Sequence, residues 1–236
     1  MSWSIKQIQF YHAMVAYEQQ PIYAWLTRMV AILNIGLQWL LLVWVWQASA
    51  SGGRVVLMAF LAFVAADFVN GLVHLWMDHY DDYTSNVGPL VAAFHLHHDT
   101  PRYQDKPIWR VYIDESGSKI WLLVVLCVAV LLQCLGLLSD EVLIFLAFFA
   151  LCSSVAEVSH FLCHNSGSAW VRVLQRYKVL LPREHHMQHH RLDNINYAFL
   201  NGMTDPLINV IARRFFKGYH ASTDQHTAMY QHLNHT

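Results

Sequence analysis

Four histidines fall within six positions of the segment Pro182–His190: His185, His186, His189 and His190. In a helix, residues four apart lie on the same stripe, so these side chains form two pairs on adjoining stripes. Pro182 suits the first turn of such a helix. Neutral imidazoles pack poorly and protonated ones repel one another, whereas a bound metal satisfies them, because imidazole is the commonest metal ligand. The spacing predicts a metal-binding helix.

Three further groups of possible ligands precede this helix. They are His74 with Asp78 and His79, His95 with His97 and His98, and His160 with His164. Taken singly, each group has an ordinary interpretation as a buried polar pair or as interfacial histidines. Together, they exceed what one metal ion coordinates, and they predict two ions.

The ligand types favour iron. Ferritin-like di-iron proteins use Glu and E-x-x-H helices, zinc peptidases use H-E-x-x-H, and structural zinc sites prefer cysteine. The four cysteines lie in or beside apolar runs without a C-x-x-C pair, which is typical of small buried residues. Two metals held mainly by histidine at a membrane surface resemble the centres of di-iron oxygenases that desaturate or hydroxylate lipids.

The composition indicates that lipid surrounds much of the chain. Of 236 residues, 56% are hydrophobic and 13% are charged, whereas soluble domains carry about 25% charged residues. The net charge of −1 gives no electrostatic case for nucleic-acid binding. No cleavable signal peptide is expected, because a mixed segment rather than a short basic start precedes the first apolar run.

Four apolar runs are long enough to cross a membrane, at residues 23–46, 55–77, 120–138 and 141–161. In the second run, Asp67, Asn70, His74 and Asp78 are spaced by three, four and four residues. They therefore share one helix face, which must point to the protein interior. Residues 1–22 are predicted to form an interfacial segment. Residues 23–219 are predicted to form the membrane domain, and residues 220–236 a disordered, histidine-rich tail.

The distribution of lysine and arginine predicts the orientation. The N-terminal arm, the connection between the second and third runs, and the C-terminal region hold all the basic residues except Arg54. The positive-inside rule places these parts in the cytosol. We expect an all-α integral membrane protein with about four transmembrane helices and a cytosolic histidine-rich di-metal cap. Its membrane would be the plasma membrane in a bacterium and the endoplasmic reticulum in a eukaryote.

Several motifs resemble those of the plasmanylethanolamine desaturases, also called the Kua family. Gly71-Leu-Val-His74-Leu-Trp-Met-Asp78 is similar to its G-x-V-H-W-x-x-D, Phe94-x-x-His97-His98 to its F-R-E-H-H, and His160-x-x-x-His164 to its H-x-x-x-S-H. Leu181-Pro-Arg-x-His185-His186-x-x-His189-His190 is similar to its L-P-R-x-H-H-x-x-H-H. The similarity extends from about Asp67 to Phe216.

The resemblance implies a non-haem di-iron membrane enzyme that uses O₂ to place a double bond next to the oxygen of an ether-linked phospholipid chain. Plant relatives desaturate the acyl chain of a plastid phospholipid. The implied metal ligands are His74, Asp78, His97, His98, His160, His164, His185, His186, His189 and His190. All of these histidines except His185 form the predicted catalytic set, and His185 is the one most expected to support another ligand instead.

Departures from the family pattern leave alternatives open. His74 and His79 have the spacing of acyl-CoA desaturase ligands, so Asp78 and His79 compete for one role. His95 replaces a family arginine, and the loop after His98 differs, which leaves the lipid substrate open. Glu157 would either orient a ligating imidazole or pack between helices. Asp67 would line a channel or cap a polar network.

Two other functions fit parts of the pattern. A membrane lipid hydroxylase would share the metal centre, and a haem- or metal-binding carrier would use histidines differently. The chain contains no G-x-G-x-x-G motif or fused haem domain, so we expect a separate electron donor of the cytochrome b5 or ferredoxin type. This donor would dock near basic residues on the cytosolic face.

Overall fold

The computed structural model describes residues 2–99 and 106–234, and these residues form helices and connecting loops without strands. The α-helices in chain order are α1 (Ile5–Gln19), α2 (Pro21–Gln47), α3 (Gly52–His79), α4 (Gly88–Asp99), α5 (Ile108–Ser116), α6 (Ile120–Cys134), α7 (Asp140–Asn165), α8 (Ala169–Arg176), α9 (Arg183–Arg191), α10 (Asp205–Phe215) and α11 (Ala228–Asn234). A 3-10 helix, Thr223–Thr227, precedes α11.

Three long apolar helices can each cross a membrane: α2 with 27 residues, α3 with 28 and α7 with 26. Helix α6 has only 15 residues, and it qualifies as a span only together with α5, to which it is bent by 78°. The all-α membrane architecture with three or four spans is therefore confirmed. The third run is shorter than expected because α6 ends at Cys134, and Gly136 follows with the positive φ of a helix C-terminus.

The bundle is built around α3 and α7, with α2 and α6 packed beside them. Small residues line its core, among them Ala62 and Ala66 of α3 and Ala147 and Ala150 of α7. Such residues let membrane helices approach closely. Large apolar side chains such as Trp46, which is 91% exposed, cover the outside of the bundle, as expected for helices surrounded by lipid.

A buried polar network crosses the bundle below its histidine-rich end. Lys119, only 3% exposed, donates to the Asn70 side chain and pairs with Glu157 at 2.8 Å. Asn70 also donates to Ser153. The network links α3, α7 and the start of α6. Among the described residues, Glu157 pairs with a lysine rather than with an imidazole.

The two ends of the chain pack on each other. Phe10, Ala13 and Met14 of α1 are buried in a cluster with Tyr83 and with the partly buried Tyr230 of α11. Helix α1 therefore buries one face against other parts of the protein. Its interfacial position stays a prediction, as do the domain boundaries.

The C-terminal segment also differs from the expected disordered tail, because residues 223–234 are helical. This segment contacts residues that are distant in sequence: Tyr83 contacts His226, and His98 contacts Asp224. Short polar sequences carry no local signal for such contacts. His235 of the predicted tail lies outside the described residues.

Candidate metal centre

The C-terminal ends of α3 and α7 meet α4 and α9 at one end of the bundle, and there they form two adjacent groups of possible metal ligands. Site A consists of His74, Asp78, His97, His98 and His189, and site B of His160, His164, His186 and His190. Within each group, one ligand atom per residue lies within 4.8 Å of all the others. Nine of the ten residues expected as ligands are thus brought together in two groups.

Helical periodicity explains how these elements supply both sites. His74 and Asp78 lie one turn apart on α3, as His160 and His164 do on α7. On α9, His186 and His190 face site B, whereas the intervening His189 faces site A. The side chains of α9 therefore bridge the two sites, which lie close enough for the His74 and His160 ring centroids to be 6.4 Å apart.

The outer nitrogens of three site A histidines meet backbone carbonyls. His74 Nδ1 lies 2.8 Å from Tyr197 O, His97 Nδ1 2.7 Å from Phe94 O, and His189 Nδ1 2.8 Å from Ile195 O. A carbonyl only accepts hydrogen bonds, so each Nδ1 carries the proton and each Nε2 keeps its lone pair. The fourth imidazole, His98, directs Nδ1 at the Asp224 carboxylate, 2.7 Å away.

The inner atoms of site A are buried acceptors that face one another. Nε2 of His74, His97, His98 and His189 and both Asp78 oxygens have no hydrogen-bond partner among the described residues. Burying unsatisfied polar atoms costs about 1–3 kcal/mol each. A cation at their centre would satisfy them all, so this donor set fits a metal ion.

In site B, the distances between imidazole nitrogens also fit a bound cation. His160 Nε2 lies 2.9 Å from His186 Nε2, and 3.1 Å separates His164 Nε2 from His160 Nε2 and His190 Nε2 from His186 Nε2. Two nitrogens bound at about 2.1 Å to one ion and at right angles to each other lie about 3.0 Å apart. The four imidazoles are therefore spaced as ligands of a common ion.

The protonation state of the histidines outside the spanning helices suits metal binding. Burial, and then the neighbouring imidazoles, hold the pKa of His97, His98, His186 and His189 well below its usual range. Burial lowers the pKa of His190 to about 4. Neutral imidazole is the form that binds metals, so these residues are in the ligating state at neutral pH.

Three nearby histidines lie outside both sites. His185 contacts Asp205 through Nε2 at 2.6 Å and so links α9 to α10. His79 directs Nδ1 at Leu75 O and packs its ring on Phe216. His95 lies between Tyr83 and the carbonyl of Met77. Of the competing pair, Asp78 rather than His79 therefore lies among the site A atoms.

The loop between α9 and α10 holds the two sites in place. Asp67 accepts hydrogen bonds from the backbone N–H groups of Asn201, Gly202 and Thr204, so it caps a polar network. A Cβ at Gly71 would lie 2.4 Å from Cδ1 of Ile208 and 3.0 Å from Cα of Ala198, so the loop backbone approaches α3 closely at this glycine. This close approach brings the loop to α3, where the carbonyl of Tyr197 orients His74.

Several residues at the site were not identified from the sequence. The Phe199 ring lies 5.5 Å from the His74 ring and 5.7 Å from the His160 ring, so it spans both sites. Tyr219, Thr223 and Asp224 approach site A from the C-terminal segment. None of them belongs to a histidine motif, and only Asp224 has a residue type that could have suggested a partner for a ligand.

The sequence model of the lipid desaturase domain matches residues 63–226. This chain belongs to the lipid desaturase domain family. It is 33% identical over 157 residues to the plasmanylethanolamine desaturase of Myxococcus xanthus, covering 61% of this chain and 52% of the relative. It is 27% identical over 152 residues to chloroplastic fatty acid desaturase 4 of Arabidopsis thaliana, covering 62% and 45%. No solved structure matches the chain.

Membership of the lipid desaturase domain family confirms the resemblance found in the motifs. The matched region contains every residue of sites A and B, together with the C-terminal residues Thr223 and Asp224. The chain spans about half the length of the curated relatives it matches.

Proposed function

We propose that this lipid desaturase domain protein is an O₂-dependent membrane desaturase that holds one non-haem iron ion in site A and one in site B. The observation that carries the proposal is the pair of adjacent buried groups. In site A the inner acceptors face one another without hydrogen-bond partners among the described residues, and in site B neighbouring imidazole Nε2 atoms lie 2.9–3.1 Å apart. Histidine-rich sites, joined in site A by the Asp78 carboxylate, suit iron. Two such sites side by side suit chemistry that uses both ions together.

The iron pair would supply the strong oxidant, derived from O₂, that an unactivated C–H bond of an alkyl chain requires. Overall, the lipid loses two hydrogen atoms, and O₂ takes these together with two electrons and two protons to become two molecules of water. The protein would hold the ions with neutral imidazoles and one carboxylate, and the carbonyls of Phe94, Ile195 and Tyr197 would keep three imidazoles in the ligating tautomer.

The substrate in this proposal is the alkyl chain of an ether phospholipid, desaturated next to the ether oxygen. The motif similarity supports this choice, as does the similarity to a plasmanylethanolamine desaturase. The plant relatives, named as fatty acid desaturases, favour an ester-linked acyl chain as the second candidate. Arg213, Arg214 and Lys217, at and just after the end of α10, would meet anionic lipid headgroups.

Electrons would come from a separate protein of the cytochrome b5 or ferredoxin type. The candidate site lies at the end of the bundle whose flanking segments carry most basic residues, and the positive-inside rule supports a cytosolic position for that end. The far end holds Arg54, paired with Glu141. A negatively charged donor would therefore dock on the same face as the proposed site.

Lipid mass spectrometry of a plasmalogen-deficient cell expressing the chain tests the reaction. We expect an acid-labile vinyl ether that is absent with His189→Ala. A product two hydrogens lighter supports desaturation, whereas a gain of one oxygen would show a hydroxylase. Iron analysis of the purified protein tests the centre: about two irons without a haem absorption band are expected, and bound haem or a single zinc would contradict the proposal.

A further inference from the structure

The segment from Tyr219 to Thr227 reaches site A from outside the histidine motifs. The Tyr219 hydroxyl donates to the carbonyl of His189 at 2.5 Å, and its ring centroid lies 4.7 Å from that of His98. The Thr223 hydroxyl donates to the carbonyl of Asp78 at 2.6 Å. With Asp224 on His98, the segment contacts three of the five site A residues.

Asp224 gives His98 a partner unlike those of the other site A histidines. Their Nδ1 atoms face neutral carbonyls, whereas His98 Nδ1 lies 2.7 Å from a carboxylate oxygen. His98 is 8% exposed and Asp224 21%, so the pair is partly shielded from water. A carboxylate that accepts from Nδ1–H fixes the ring and makes its other nitrogen a stronger metal ligand.

The negative charge of Asp224 also distinguishes the two sites. Site A contains the Asp78 carboxylate, and Asp224 lies directly behind one of its imidazoles, whereas site B consists of four imidazoles. A cation in site A would therefore be stabilised by two nearby carboxylates, one inside the site and one behind it. Removing the Asp224 carboxylate should lower the affinity for a cation at site A more than at site B.

We propose that Asp224 is a positioning residue for His98, and that the segment Tyr219–Thr227 completes site A while site B forms without it. This inference rests on the proposed iron centre. It assigns a role to a segment that contains no ligand, and it predicts that the two iron ions respond differently to the same substitution.

The test uses the full chain purified in detergent and loaded with ⁵⁷Fe. Asp224→Ala and Asp224→Asn are compared with the wild type and with Asp140→Asn. Asp140 also accepts one hydrogen bond, from Ser49 N at 2.9 Å, but it lies about 30 Å along α7 from site B. Iron content is measured against a chelator series, and Mössbauer spectra count the iron environments.

We expect the wild type and Asp140→Asn to hold about two irons each, with the same two Mössbauer signals. Asp224→Ala should lose the Mössbauer signal of one iron, and Asp224→Asn should lower the affinity for one iron by about 10- to 100-fold. An amide can donate as well as accept, so Asp224→Asn also permits the His98 tautomer whose Nε2 carries the proton.

Either of two results would overturn the inference. The first is that both Asp224 variants keep two irons with the chelation curve of the wild type. The second is that both irons are lost together, because this would show general unfolding instead of positioning at site A. A wild-type chain that binds no iron would instead refute the proposed function, and the inference with it.

Discussion

The Asp78 carboxylate lies 3.4 Å from Nε2 of His74, one turn earlier on the same helix, and neither group has a hydrogen-bond partner at these atoms among the described residues. Because His74 Nδ1 meets a carbonyl, its Nε2 carries a lone pair. Two buried acceptors therefore face each other. This contact is unfavourable unless a cation lies between them, and it makes the stability of the site depend on metal.

Asp78→Asn should make the folded protein less dependent on bound iron for its stability. The new amide can donate to an imidazole Nε2, so the iron-free variant should be more stable than the iron-free wild type by roughly 1–3 kcal/mol. It should also lose the iron of site A and its activity. Melting temperatures in the presence of a chelator, together with iron content, measure both effects. Asp82→Asn, at an exposed turn, is the matched control. An Asp78→Asn variant with two irons and full activity would contradict the assignment.

His185 and His189 should behave differently although they lie one turn apart on α9. His189→Ala removes a site A atom and should lower iron content to about one per chain, abolishing activity. His185→Ala breaks only the contact with Asp205, so it should keep both irons and lower the melting temperature. Iron analysis beside a thermal melt distinguishes the two variants. Loss of iron in His185→Ala with an unchanged fold would place this residue among the ligands.

The iron-free protein should lose stability as the pH falls. Burial lowers the pKa of His190 and that of His95 to about 4, whereas an unfolded histidine has a pKa of about 6.5. Between these values the unfolded chain binds more protons, so the free energy of unfolding decreases from about pH 6.5 to about pH 4. Each such group contributes up to about 1.4 kcal/mol per pH unit.

Melting temperatures of the chelated protein between pH 7.5 and pH 4.5 measure this dependence. Bound iron should raise the melting temperature at neutral pH and make its decline with falling pH steeper, because protons then compete with the metal for the same nitrogens. A melting temperature that stays constant across this range would show that these histidines are not buried in their neutral form.

Removing one partner of the Lys119–Glu157 pair should destabilise the bundle. The two side chains are 4% and 14% exposed and 2.8 Å apart, and breaking such a buried pair costs about 3–5 kcal/mol. Lys119→Met and Glu157→Gln should each lower the melting temperature strongly. The double substitution Lys119→Met with Glu157→Met should recover much of the loss, because no unpaired charge remains.

Lys106→Met provides the control for this series, since Lys106 pairs with Asp114 while 37% exposed. Exposed ion pairs contribute only about 0–1 kcal/mol to the free energy of unfolding, so Lys106→Met should change the melting temperature little. Equal losses for Lys106→Met and Lys119→Met would argue against a special role of the buried pair.

The sequence by itself determined the features that depend on local spacing. Apolar runs identified the long helices α2, α3 and α7, because a helix must keep a continuous apolar surface to cross a membrane. The pairs His74/Asp78 and His160/His164 were predictable as neighbours because residues four apart share a helix face. The histidine motifs also indicated the family.

Only the tertiary structure decided how the ligands are shared between the two sites. The side chains of α9 divide between them, and His185 turns to Asp205, because the angle at which α9 meets α3 and α7 selects the face of each residue. Asp224 meets His98 across 126 residues of sequence. No local pattern encodes such a contact, since it forms only when the C-terminal segment packs against α1 and α4.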